Sequence, residues 1–253
     1  MMQDIRALLQ DWEYDSDSNI RVLNAIDGRM ILQVRLPLGI EQYEMDGRPD
    51  GQRPFGQETF LSVIEERLAV WRQEHDDDSG FSIDHEDFVR LQSESILFYY
   101  RYLVLFQLND FERVTRDTEH NIRMCRLLEF YCRDEDERNS VLQFRPYIIR
   151  MNSMARSMLA VQKNDAHGGV GILESAIREI ELLEMLPSPV FQFERSRSVS
   201  YLTTALEQMR EKDANPQKIL EDELSRALDE ENYEHAAELR DQIRNLIDKA
   251  QSA

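Results

Sequence analysis

Few groups of residues in this chain of 253 have the types and spacing that chemistry requires. Cys125 and Cys132 lie seven apart in a segment whose apolar spacing predicts one helix, which puts them about 10 Å apart. A disulfide needs Cα atoms within about 7 Å, and the CxxC spacing of a zinc site is missing, so buried free thiols are expected. Asp117 and His120, three apart, share a helical face, but a di-iron bundle needs two Glu-x-x-His pairs and further carboxylates. A solvated pair is expected there. Gly168, Gly169 and Gly171 precede a helical run and could cradle an anion. Without a GxxxxGK[ST] loop or a GxGxxG after a strand, they read as a flexible turn. Tyr99, Tyr100, Tyr102 and Phe106 could stack bases, yet core packing is the better account in so acidic a chain. Arg48, Asp50 and Arg53, in the Gly- and Pro-rich run 46–56, have the charges to hold a ligand but no nucleophile or base partner. An enzyme with its site at that loop is therefore the alternative, and the expectation is a protein with no catalytic residue, metal or cofactor.

Charge narrows the partners. With 49 acidic against 30 basic side chains the net charge is −19, and nucleic-acid affinity depends largely on neutralising phosphates. No direct nucleic-acid binding is expected, and Arg195 and Arg197, mixed with Glu194, read as a solvated helix face. No apolar run approaches the roughly 20 residues of a membrane span, and MMQDIRALLQDWEYD lacks a basic region followed by an apolar stretch, so a cytoplasmic protein without membrane contact is expected.

Apolar periodicity places these residues on a mainly α chain. Ile5, Leu8, Leu9 and Trp12 suggest an opening amphipathic helix. Asp27-Gly28 between two apolar runs predicts a two-residue β-hairpin turn, and the alternation of Leu32, Val34 and Leu36 a half-buried strand. A third strand is expected around Ile40 to Met45, giving a small antiparallel meander. The period then becomes helical. Phe60, Ile64, Leu68 and Trp71 form one stripe. A long helix capped by Ser82 or Asp84 carries Phe88, Leu91, Ile96, Tyr99, Leu103 and Phe106. A tight turn at Asn109-Asp110 leads to a helix with Val114, Ile122, Cys125, Leu128 and Phe130. One helix is predicted from Val141 to Val161, then a turn through Asn164-Asp165 and HGGVG, a helix from Ile172 to Met185, and another with Tyr201, Leu202, Leu206 and Met209. Such pairs loosely resemble tetratricopeptide repeats, although the two Asn-Asp turns stand 55 residues apart against the roughly 34 of that repeat. The expected organisation is an N-terminal helix and β segment (1–56), an antiparallel helical array (57–214) and a C-terminal αα-hairpin (215–253).

The tail has the most specific pattern. Asn215-Pro216 is a helix start, followed by a stripe of Ile219, Leu220, Leu224, Ala227 and Leu228. After a turn at Glu231-Asn232, a second stripe runs through Tyr233, Ala236, Ala237, Leu239, Ile243, Leu246, Ile247 and Ala250. Facing stripes on two short helices make an αα-hairpin. Leu220, Leu224, Ala227-Leu228, Glu231, Tyr233-Glu234, Ala236-Ala237, Leu239-Arg240-Asp241, Ile243 and Leu246 resemble the UVR motif found in UvrB, UvrC, the McsA adaptor and some Clp ATPases. Asn232 stands where that pattern carries Phe or Asp, and the zinc-binding CxxC pairs of McsA are missing.

The resemblance implies a bacterial adaptor whose hairpin associates with a second copy of itself or with another helical protein. The implied partner-binding residues are Leu220, Leu224, Leu228, Tyr233, Ala236, Ala237, Leu239, Arg240, Asp241, Ile243 and Leu246. Small Ala236 and Ala237 would let a facing helix approach, Tyr233 and Leu239 would supply apolar area, and Arg240 and Asp241 would pair across the seam. An accessory factor of nucleotide excision repair docking on UvrB or UvrC is the alternative.

Overall fold

A computed structural model describes residues 4–75, 77–214, 216–229 and 232–251. The expected helix start at Asn215 and the turn residue Glu231 lie outside the described residues, as do the side chains of Ile219 and Ala250. The fold is mainly α, with a small antiparallel sheet near the N-terminus and a helix pair at the C-terminus.

A short helix α1 (Arg6–Asp11) precedes the meander β1 (Ile20–Asn24), β2 (Met30–Leu36) and β3 (Gly39–Glu44), ordered β1-β2-β3. Ile5 and Leu8, expected on a packed stripe, are exposed, because a six-residue helix has too little surface to cover both. The β1–β2 turn is longer than the two residues expected. The Ala25 and Gly28 amides donate to the Arg29 and Ala25 carbonyls (2.8 and 2.9 Å), so Ile26-Asp27-Gly28 forms the loop, with Gly28 at φ +85° where a side chain would be strained. Leu32, Val34, Tyr43 and Met45 bury one sheet face against Tyr102, Leu105, Phe111 and Val114, whereas Leu36 ends at solvent.

The array follows: α2 (Phe60–His75), α3 (His85–Gln107), α4 (Phe111–Tyr131), α5 (Glu135–Leu142), α6 (Arg145–Gln162), α7 (Ala166–Glu181) and α8 (Pro189–Ala214). Helix α4 packs between α3 and α6, and α7 between α6 and α8. Asp84, Asp110, Asp134 and Asp165 each cap a helix by accepting from a backbone amide three residues on. The turns at 109–110 and 164–165 are the same device. Asn109 and Asn164 take left-handed φ (56° and 60°), and the Asp that follows donates its amide to a carbonyl five residues back.

Four helix expectations are corrected. The single helix over 141–161 is two, α5 and α6, because Pro146 in the first turn of α6 has no N–H and its ring prevents continuation from α5. The HGGVG stretch lies inside α7, which the Asp165 cap starts before it. A Cβ on Gly169 would lie 3.0 Å from Met209 Sδ and 3.3 Å from the Ser157 carbonyl, so that glycine permits close packing of α7 on α6 and α8. On α3, Ile96 and Tyr99 face outward, while Leu91, Glu94, Phe98, Arg101, Tyr102 and Leu105 face in. Phe130, expected on the α4 stripe, is also exposed.

Charge thus enters the core. Arg101 and Asp117 are both fully buried, and Arg101 donates from Nε and one Nη to the two Asp117 oxygens at 2.7 Å each. Its other Nη donates to the Glu44 carbonyl at the end of β3 (2.7 Å). Arg116 adds a bond to Asp117 (3.0 Å) and two to the chain beyond β3, at Met45 O and Asp46 Oδ1 (2.7 Å each). Glu94 accepts from the first amides of α2, Phe60 (2.6 Å) and Leu61 (2.9 Å), and lies 3.1 Å from His120 Nε2. The His120 ring stacks on Phe98, and its Nδ1 meets Asn121 Oδ1 at 3.1 Å. The expected solvated Asp117–His120 pair is therefore buried: the two sit on the inner face of α4, each matched to an opposite charge or acceptor on α3.

Burial pushes the Glu94 carboxyl up, but the bonds from His120, Phe60 N–H and Leu61 N–H together outweigh it and hold the group below its ordinary value. A carboxyl so lowered stabilises the fold above the ordinary carboxylate pKa, and that contribution is lost as pH falls through the lowered value. Glu94→Gln is expected to cost about 3 kcal/mol at neutral pH and to flatten the dependence of melting temperature on pH below about 4.5. Thermal melts of both proteins across that range check it, and an unchanged pH slope would refute it.

Candidate protein-docking site

The hairpin consists of α9 (Pro216–Asp229) and α10 (Tyr233–Gln251). Asn232 closes it: its amide donates to Ala227 O (2.8 Å), and its side-chain oxygen accepts from His235 N (3.3 Å), capping α10. Asp caps helices equally well, which explains why Asn stands at this position without disturbing the turn. Ala227, Ala236 and Leu239 are buried between the two helices, with Leu220 and Leu224 packed against them. None of these five joins the clusters of the array. Two of these five described residues are alanines, and paired helices this short are marginal without further contact.

The expected docking residues divide into two sets. Leu220, Leu224, Ala236 and Leu239 face the hairpin's own seam, whereas Leu228 (49% exposed), Tyr233 (67%) and Ala237 face outward. Ile243 and Leu246 are half-buried. Arg240 and Asp241 are adjacent and exposed.

The second candidate, the loop 46–56, is pinned. Arg48 reaches inward to Glu94 (3.3 Å) and pairs with Asp50 (2.9 Å), so two of the three charges expected to meet a ligand satisfy each other or the core. Arg53 is exposed, and Phe55 beside it takes a left-handed φ of 52° with its ring in solvent. The free thiols also lie in packed surroundings. Burial pushes Cys125 up to about 12 and raises Cys132, which leaves neither as a ready nucleophile.

Sequence reasoning missed one surface. A groove of about 470 Å³ opens between α3, the α5–α6 junction and α8. Tyr99 and Tyr100, expected in the core, stand partly exposed on its rim with Ile96 and Phe144, while Tyr102 is buried as expected. The signal was present: Ile96, Tyr99 and Tyr100 occupy the α3 face opposite the one completed by Glu94 and Arg101. An apolar stripe that crosses two charged positions is hard to assign from pattern alone.

A family model described as the UvrB/uvrC motif (UVR) matches residues 217–246. No curated protein and no solved structure matches the chain. Among the described residues no helix is long and apolar enough to cross a membrane.

The two sets of hairpin residues should respond differently to charge. Leu239→Asp places an unpaired carboxylate in the seam, a cost of several kcal/mol that so small a hairpin cannot absorb, so the backbone amides of α9 and α10 should lose hydrogen-exchange protection. Leu228→Asp should leave that protection unchanged. Equal protection in both variants would contradict the assigned seam.

Proposed function

We propose that this protein is a protein-interaction adaptor: the helical array is a scaffold, and the UVR-type hairpin, carried as an appendage, docks a second copy of the chain or another helical protein. The observation that carries this is the division of the hairpin's apolar residues. Ala227, Ala236 and Leu239 close it, while Leu228, Tyr233 and Ala237 remain outward with no part of the array over them. Tyr is enriched among residues that anchor interfaces. The reading of binding module over enzyme is supported by the inward pairing of Arg48 and by the engagement of Glu94, Asp117 and His120 in holding the fold.

The matched UvrB/uvrC motif supports a second, narrower reading, an accessory factor of nucleotide excision repair docking on UvrB or UvrC. Pull-downs with those two proteins separate it from a general adaptor.

Removing everything after Ala214 should leave a cooperatively melting helical core that no longer associates. Within the full chain, Tyr233→Asp should weaken association at least tenfold, about 1.4 kcal/mol or more, while the array's melting temperature holds. Light scattering and circular dichroism on the same samples report the two separately. A large fall in the array's stability from Tyr233→Asp would mean that the residue packs on the array, and the adaptor reading would be wrong.

A further inference from the structure

The groove between α3, the α5–α6 junction and α8 combines features found together nowhere else among the described cavities. Ile96, Tyr99, Tyr100 and Phe144 give it an exposed, largely aromatic rim. Arg197 and Glu194 stand on its α8 side. Arg150, only 5% exposed, lies outside the lining but against one lining residue, its guanidinium 4.8 Å from the Tyr147 ring and 5.4 Å from the Tyr201 ring. One Arg150 Nη is buried without a hydrogen-bond partner, as is Glu194 Oε2. Arg197 and Glu194 balance in the lining, and the buried Arg150 behind Tyr147 adds one positive charge next to the groove on a chain of net charge −19. The neighbouring groove between α4, α6 and α7 carries three arginines with Glu119 and Glu179, but no aromatic side chain lines it.

We propose that this aromatic groove receives the acidic tip of the C-terminal hairpin of a second copy, reciprocally, so that two chains close as a two-fold dimer. The inference rests on the docking role proposed for the hairpin and names the surface that meets it. The tip has the complementary chemistry. Leu228 and Tyr233 project from it, and between Leu228 and Glu238 the sequence holds Asp229, Glu230, Glu231, Glu234 and Glu238 with no Lys or Arg. From 217 to 246 the hairpin carries nine acidic against four basic side chains. An apolar, acidic tip is repelled by most of an acidic surface, and the groove offers aromatic area beside arginine. Each chain carries both a tip and a groove, and if the two are exchanged reciprocally about a two-fold axis the pair of contacts closes at two copies, whereas a one-way exchange would continue head to tail.

Mixing two variants of the full chain tests this. The groove variant carries Tyr100→Asp and the tip variant Tyr233→Asp, and each is first checked for an unchanged melt; should Tyr100→Asp lower the melting temperature, exposed Arg197→Glu replaces it. In sedimentation velocity the wild type should run as two chains, and each variant alone should lose at least tenfold in association. An equimolar mixture of the two should regain a two-chain particle, weaker than the wild type, because one intact groove still meets one intact tip. A groove variant that associates as tightly as the wild type overturns the assignment, while leaving the docking role of the hairpin to its own truncation test. A mixture that stays single-chain overturns the reciprocal arrangement. A wild type that stays single-chain at all concentrations overturns the proposal outright.

Discussion

Arg101 is fully buried, and its charge can stay in the core only because it is paired and hydrogen-bonded there. Asp117 on α4 takes two bonds, and the third goes to the Glu44 carbonyl at the end of β3. The sheet must therefore sit where it does for α3 and α4 to bury their pair. Glu94, also fully buried, imposes the matching constraint on the other side. It takes donors from the first turn of α2 and from His120, and it draws Arg48 of the loop inward. One helix, α3, thus holds the sheet, the loop and α2 to the array through two charged residues seven apart.

That constraint fixes what is left for function. Glu94, Arg101, Asp117 and His120 are committed to the frame, and the thiols are pushed away from ionisation by burial. The surface offers an outward apolar tip on the hairpin and an aromatic groove on the array. The same α3 that buries Glu94 and Arg101 on one face displays Tyr99 and Tyr100 on the other. Stability in the core and exposure in the groove are two consequences of one helical register.

Much of this was legible in the sequence. The meander, the Asp84 cap, the Asn109-Asp110 turn and the UVR motif follow from local rules about turns, caps and periodicity. The places where those rules fell short have common causes. Pro146 divided an expected helix, because an apolar stripe across 141–161 hides a break in the backbone. Gly169 looked like turn chemistry and is packing chemistry, since only its neighbours in space, Met209 and Ser157, require the missing Cβ. Asp117 and His120 looked solvated because a charge is assigned to water unless its partner is known, and their partners lie 16 and 26 residues away on another helix. For the hairpin, the stripes were readable, but which members of each stripe face the seam depends on the rotation of α10 against α9. That rotation placed Leu239 inside and Tyr233 outside.

The central claim is that the outer face of the hairpin tip is a binding surface filled when two chains meet. Hydrogen exchange of the full chain, measured above and below the concentration at which it associates, tests this most directly. The account predicts that protection rises with concentration at residues 228–238 and along the groove-lining turns of α3 and α8, while the buried core around Glu94 and Arg101 stays the same. An exchange pattern at the tip that does not change with concentration would contradict it.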